Sequence, residues 1–327
     1  MDFLNNNLSS QDFSNGSFFV VQNPTQAQPQ YKIIQNSGCD LPLKIFEHTH
    51  LEIGFGNGEY TVNYAKAHPE IFLYGLELSQ ACILRCARRA KGLNNLKIIR
   101  ADARYMLREF FDDETLEKII MNFPCPWSKN KNAHRRVTAK DFADGLASVL
   151  KVGGIFEFVS DDLNYSNEVR DIIGNHEAIK LLNFEVNPIR PVTTKYERKW
   201  LAEGKNIHRI TFEKIKAFSC GRRVENQIMH IKLNNQVNKN NIADLNNISG
   251  NQNKAFWKFG DYFINSDGVF LLEAFTSDDG FDQKFYVNIS NRDENKSLVR
   301  LDNTANAFLT PAVRFALNDV AARLSVN

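Results

Sequence analysis

From His50 onward the chain alternates between short apolar runs and longer stretches in which apolar side chains return every three or four positions. The runs Leu51–Ile53, Phe72–Leu76, Leu96–Ile99, Lys118–Phe123, Gly154–Val159, Leu181–Val186 and Ile207–Glu213 are of strand length. Between them, residues Tyr60–His68, Gln80–Lys91, Ala103–Phe111, Ala139–Leu150 and Tyr165–Gly174 carry the helical spacing. Strand and helix in regular succession predict βαβ units, hence an α/β domain with a seven-stranded, mostly parallel sheet and helices on both faces. No helical spacing separates the sixth and seventh runs, so the last two strands are expected to form a hairpin closing that sheet.

The pattern fades at both ends. Residues 1–48 are rich in Asn, Gln and Ser, and read as a flexible arm with one short strand around Phe18–Val21. Residues 49–217 form the α/β domain. Residues 218–327 read as a smaller β-rich unit, beginning with an Asn-rich loop or linker from Asn234 to Asn253. Beyond it come the aromatic and β-branched segments AFWKFGDYFIN, GVFLLEAFTS, QKFYVNIS and KSLVRLD, split by Asn-Ser-Asp-Gly and Ser-Asp-Asp-Gly turns. A helix from Pro311 to Leu324 ends the chain.

Composition adds limits. With 327 residues, 43% of them hydrophobic, the chain can bury a full α/β core with about a hundred residues left over. A formal charge of +2 is too small for the whole surface to attract a polyanion, so nucleic-acid contacts must come from local clusters. The five cysteines have no CxxC spacing, and no metal site is expected. No stretch of roughly 18 apolar residues and no signal-peptide layout occurs, which points to a cytoplasmic protein without a membrane contact. Nothing in the sequence sets an oligomeric state; a monomer is expected.

Glu52-Ile53-Gly54-Phe55-Gly56-Asn57-Gly58 lies where the first strand turns into the first helix. Glycines there let backbone approach a ligand, and the helix start offers free N–H groups. A dinucleotide fingerprint would place its third glycine at position 59, which is Glu59, an acid that would repel a pyrophosphate. A nucleoside without phosphates fits better. Glu77 ends the second strand, where a carboxylate can accept two ribose hydroxyls, and Asp102 follows the third, in reach of an adenine amine. Each acid alone reads as a helix cap or a solvated charge; three at the carboxyl ends of successive strands read as one site.

The fourth strand runs into Asn122-Phe123-Pro124-Cys125-Pro126-Trp127-Ser128-Lys129, followed by Lys131, His134, Arg135 and Arg136. Two prolines and a Trp stiffen this loop, and the cations behind it suit phosphate contact better than a plain solvated face. Arg85, Arg88, Arg89 and Lys91 could form a second stripe or a solvated one.

With these motifs the chain resembles the bacterial tRNA (guanine-N7)-methyltransferase family from about Leu51 to Lys214. The likeness rests on LEIGFGNG, YGLEL, the FPxPW…K…HRR loop, Ser160-Asp161-Asp162 and Thr194-Lys195-Tyr196-Glu197-Arg198. It implies a Rossmann-like methyltransferase sheet, S-adenosylmethionine as cofactor held by Glu52, Gly54, Gly56, Gly58, Glu77 and Asp102, and tRNA as substrate. It further implies tRNA binding by Lys129, Asp161 and the Thr194, Lys195, Tyr196, Glu197 segment, with Arg135 and Arg136 as phosphate contacts. The methylated guanine would lie in the variable loop. The family's loop is similar to FPDPW, so Cys125 stands where an Asp is usual; Cys125 and Asn122 are the candidate catalytic positions. Two other readings stay open: an exocyclic-amine methyltransferase, because Asn122-Phe123-Pro124-Cys125 loosely resembles an Asn-Pro-Pro-aromatic motif, and a non-catalytic RNA-binding relative.

Overall fold

The computed structural model describes residues 18–21, 31–34, 42–127, 136, 140–224, 229–292, 295–302 and 307–325. They form two compact units, one of residues 18–33 and 40–221, the other chiefly residues 222–327.

The first unit contains β1 (Phe18–Val21), β2 (Tyr31–Ile34), β3 (Thr49–Ile53), α1 (Glu59–Ala67), β4 (Phe72–Glu77), α2 (Gln80–Arg89), β5 (Leu96–Arg100), α3 (Ala103–Phe110) and β6 (Leu116–Asn122). It continues with α4 (Lys140–Val149), β7 (Leu150–Ser160), α5 (Leu163–Gly174), β8 (Ile179–Val186), α6 (Lys195–Ala202) and β9 (His208–Lys214). One sheet takes all nine strands in the order β2-β1-β5-β4-β3-β6-β7-β9-β8. The seven expected strands lie together, parallel except for β9, which runs antiparallel to both neighbours. From the N-terminal arm, β1 adds itself antiparallel to β5.

The chain steps outward from β3 through β4 to β5, then returns to the other side of β3 for β6 and β7. Because such crossovers are right-handed, the reversal puts α1 and α2 on one face and α4 and α5 on the other. It also opens a crevice at the carboxyl ends of β3 and β6, where the order switches. Register then fixes which side chains meet there. Glu52 pairs in register with Ile120, and Ile120 with Glu157. Partners in register share a face, and so does Asn122 two residues along β6. Three polar side chains from three strands therefore converge on one face.

The expected hairpin between the last two strands is wrong in one respect. Helix α6 fills the connection from β8 to β9, started by a reciprocal capping box in which Thr194 Oγ1 accepts from the Glu197 N–H (3.0 Å) while a Glu197 carboxylate oxygen accepts from the Thr194 N–H (3.3 Å).

The second unit contains β10 (His230–Leu233), α7 (Lys239–Ala243), β11 (Ser249–Gln252), β12 (Ala255–Ile264), β13 (Phe270–Asp278), β14 (Phe281–Asn291), β15 (Ser297–Leu301) and α8 (Pro311–Ser325). Its antiparallel sheet has the order β10-β15-β14-β13-β12-β11. The Asn-rich stretch is not a plain linker: Asn238 caps α7 by accepting from the Asn240 and Asn241 N–H groups, and β11 pairs with β12. Asp279 and Gly280, both with positive φ (53° and 89°), make the two-residue turn between β13 and β14. Alternate residues of the strands, among them Phe259, Leu272, Val287 and Ile289, bury themselves with Val313, Leu317 and Val320 of α8.

Candidate active site

Gly54 to Gly58 turn sharply from β3 into α1. The Gly54 N–H donates to the Leu76 carbonyl (2.8 Å) and the Gly56 N–H to a Glu77 carboxylate oxygen (2.9 Å). The other Glu77 oxygen accepts from the Leu78 and Ser79 N–H groups (2.8 and 2.9 Å). Glu77 thus ties the glycine loop to the start of α2. Gly58 has φ 75°, and a Cβ there would lie 2.2 Å from Cys86 Sγ, so α1 can start this close to α2 only from glycine. By contrast, a Cβ on Gly54 or Gly56 would meet nothing within 4 Å. Those two glycines border open space, a cradle suited to a ligand.

Glu52 lies beneath the loop with 1% of its surface exposed. One carboxylate oxygen accepts from Thr61 Oγ1 (2.6 Å), the other from Asn122 Nδ2 (3.1 Å). Burial pushes the Glu52 carboxyl up to about 7, against the pull of those two hydrogen bonds and of Arg190. Asn122 passes the network on. Its Oδ1 accepts from Arg190 Nη2 (2.7 Å). Arg190 also donates from Nη2 to Glu157 (3.2 Å) and from Nη1 to Glu197 (2.8 Å), and its guanidinium lies 5.2 Å from the centre of the Tyr60 ring. Burial raises the Glu157 carboxyl, but Lys118 and Arg190 outweigh it and leave the group below its ordinary value. A guanidinium has no acceptor, so Asn122 must present its oxygen to Arg190 and its NH2 to Glu52.

Asp102 caps α3, accepting from the Arg104 N–H (3.0 Å), and forms an ion pair with the Arg104 guanidinium (2.6 Å). Asp161 is partly exposed beside Lys205 (3.5 Å). Lys195 and Tyr196 are exposed at the start of α6. Cys125 is exposed on the loop after β6. Arg136 turns back on the fold: Nε donates to the Pro126 carbonyl (2.8 Å), Nη1 pairs with Glu168 of α5, and the guanidinium lies 5.6 Å from the Tyr165 ring centre. Lys129 and Arg135 lie outside the described residues.

Sequence reasoning missed Arg190, Glu157 and Trp200. A glutamate amid the apolar positions of IFEFVS was a signal for Glu157. Trp200 takes the Phe123 ring edge-on (4.9 Å between centres) and leans on Tyr196 (5.5 Å), joining the loop after β6 to α6. Phe123 itself has φ 50°, which a bulky residue rarely adopts and which clusters at functional sites.

A doubly wound sheet, a glycine turn beside open space and carboxylates at three successive strand ends define an α/β protein with a candidate ligand cleft. Residues 47–210 match a family described as "Putative methyltransferase". The chain belongs to the tRNA (guanine-N7)-methyltransferase family: it is 35% identical to the Thermotoga maritima tRNA (guanine-N(7)-)-methyltransferase over 84% of this chain and 88% of that one. The Aquifex aeolicus enzyme of the same name is 29% identical over 84% and 93%. A Campylobacter jejuni relative is 33% identical over 52% of this chain and 43% of its own. A coverage of 84% exceeds the 221 residues ahead of the second unit, so the first two likenesses run into that unit. Among solved structures, a 16S rRNA (adenine(1408)-N(1))-methyltransferase from Catenulisporales acidiphilia matches 52% of this chain and 89% of its own at 16% identity and a TM-score of 0.41.

Proposed function

We propose that this protein transfers a methyl group from S-adenosylmethionine to N7 of a guanine in tRNA, in the variable loop, and does so in the cytoplasm. Membership of a family whose Thermotoga maritima and Aquifex aeolicus members bear that activity in their names carries the reading. The residues present fit the cofactor: Gly54 and Gly56 border open space, and a buried carboxylate beside them is suited to a cation. Glu77, with three of about four acceptor positions used by backbone N–H groups, has one left for a ribose hydroxyl. Asp102 would meet the adenine side.

When bound, the cofactor supplies a methyl group on an electrophilic sulfonium. Guanine N7 carries an in-plane lone pair and no proton, so no general base is required, and the chain's task is orientation. Asp161, partly exposed, is the carboxylate suited to the guanine N1–H and amine, whereas Glu197 is buried and engaged by Arg190 and the Thr194 N–H. Lys195 is free to reach a phosphate, as is Lys129 by the family resemblance, whereas Arg136 serves the fold by fastening the loop to α5. Asn122 has both ends of its amide engaged, which leaves it poorly placed to accept from a reacting exocyclic amine. We read residues 49–217 as the catalytic domain and 218–327 as an extension.

The test is transfer of labelled methyl from S-adenosylmethionine to tRNA lacking N7-methylguanosine, with the product base placed by chemical cleavage. One N7-methylguanosine in the variable loop is the expected outcome. Cofactor and tRNA binding without transfer would instead mark a non-catalytic relative.

A further inference from the structure

Arg190 stands in the irregular segment between β8 and α6, with its side chain 2% exposed, and contacts groups that belong to two different halves of the site. On one side it reaches Asn122, whose amide runs on to Glu52 under the glycine loop. On the other it reaches Glu197, the residue that closes the capping box of α6. It also donates to Glu157, itself paired with Lys118 (3.2 Å). A buried guanidinium shared among three acceptors this way is costly to keep unless each bond is made, so its partners move together or not at all.

We infer that Arg190 is a positioning residue that couples the cofactor side of the site to the substrate-binding start of α6, so that a nucleoside ligand on the Glu52 side sets the order of Thr194 to Glu197. The inference rests on the proposed function for what each side holds. The physical route is a single chain of donors and acceptors: Thr61, Glu52, Asn122, Arg190, Glu197 and the Thr194 N–H. Every link has one permitted orientation, because Arg190 can only donate and the Asn122 amide must follow it. Lysine could not reproduce the arrangement, since a point ammonium lacks the planar fork that holds two carboxylates and an amide at once.

Hydrogen exchange of the α6 amides, measured on the full chain with and without S-adenosylhomocysteine, tests this without any turnover. In the wild type the ligand should slow exchange across Lys195–Ala202 about fivefold or more. Arg190→Lys and Arg190→Met should still bind the ligand yet change α6 exchange less than about twofold. Should either variant not fold, Glu197→Met, which removes the acceptor at the far end of the same chain and keeps side-chain length, should show the same loss. In turnover assays these variants should raise KM for tRNA more than they lower kcat. Undiminished α6 protection in Arg190→Lys or Glu197→Met, or a wild type that binds S-adenosylhomocysteine with no protection of α6, overturns the coupling alone. A wild type that does not bind S-adenosylhomocysteine overturns the functional reading as well.

Discussion

The two units centre on different material, a buried charged network in one and an apolar cluster in the other. In the first, Glu52, Asn122, Glu157, Arg190 and Glu197 are all buried around the carboxyl ends of β3, β6 and β7. In the second, the core between the sheet and α8 is built from aliphatic and aromatic side chains such as Phe259, Leu272, Val287 and Leu317. Charge buried among hydrogen-bond partners seldom adds stability over apolar packing of equal volume, although breaking it is expensive. The first arrangement therefore makes sense as machinery, and the second as scaffold.

Truncation in the dry core should give the largest effect and leave chemistry alone. Leu272→Ala, at a position with no exposure, should lower the unfolding free energy of the second unit by about 2–5 kcal/mol in denaturant melts, with S-adenosylhomocysteine affinity unchanged. An equal loss of ligand affinity would show that the units do not divide labour this way.

In the wet site the corresponding change is electrostatic. A carboxyl raised from 4.5 to about 7 in the folded state binds protons there more tightly than in the unfolded chain. Its contribution is complete below pH 4.5 and is lost as pH rises through 7, a fall on the order of 3 kcal/mol. Glu52→Gln should remove that fall, so its melting temperature should drop less than that of the wild type between pH 4.5 and 8. Glu157, held below its ordinary value, works in the other direction and is common to both proteins, so the difference isolates Glu52.

Smaller effects sharpen the site itself. Cys125→Asp, which restores the family's usual loop residue, should raise the rate of transfer to tRNA by about tenfold, near 1.4 kcal/mol in barrier; a drop would mean the loop has been rebuilt around the thiol. The smallest change separates two cations. Lys195→Ala should weaken tRNA binding modestly and reduce its salt dependence by about one unit of slope, while Arg136→Ala, whose guanidinium is occupied by Glu168 and Pro126, should leave that slope unaltered.

Much of this comparison was legible in the sequence, for reasons that also explain the failures. Helices and strands from β3 to α5 follow from the periodicity because each packs one face, and α8 from Pro311 likewise, whereas β2 at the sheet edge was not expected in the Asn- and Gln-rich arm. Helix α6 has a single buried residue, Glu197, so it has no apolar stripe to read, and the sequence there looked like a binding motif alone. Strand β11 and helix α7 were hidden in Asn-rich text, where capping does the structural work and hydrophobicity is low. Among site residues, the acids at strand ends could be placed because topology fixes where strands end. Arg190 could not. It sits between Ile189 and Pro191 outside any element, and only the fold brings it to Asn122, 68 positions away in sequence.

The left-handed backbone at Phe123 has a consequence for how this sequence can drift. Its N–H is held by the Val159 carbonyl (2.7 Å) and its ring by Trp200, which together keep a conformation costing about 1–3 kcal/mol in place. Glycine would relax that backbone, but it would also delete the ring that packs on Trp200, so relief of the strain at this position gives up a contact that ties the loop to α6.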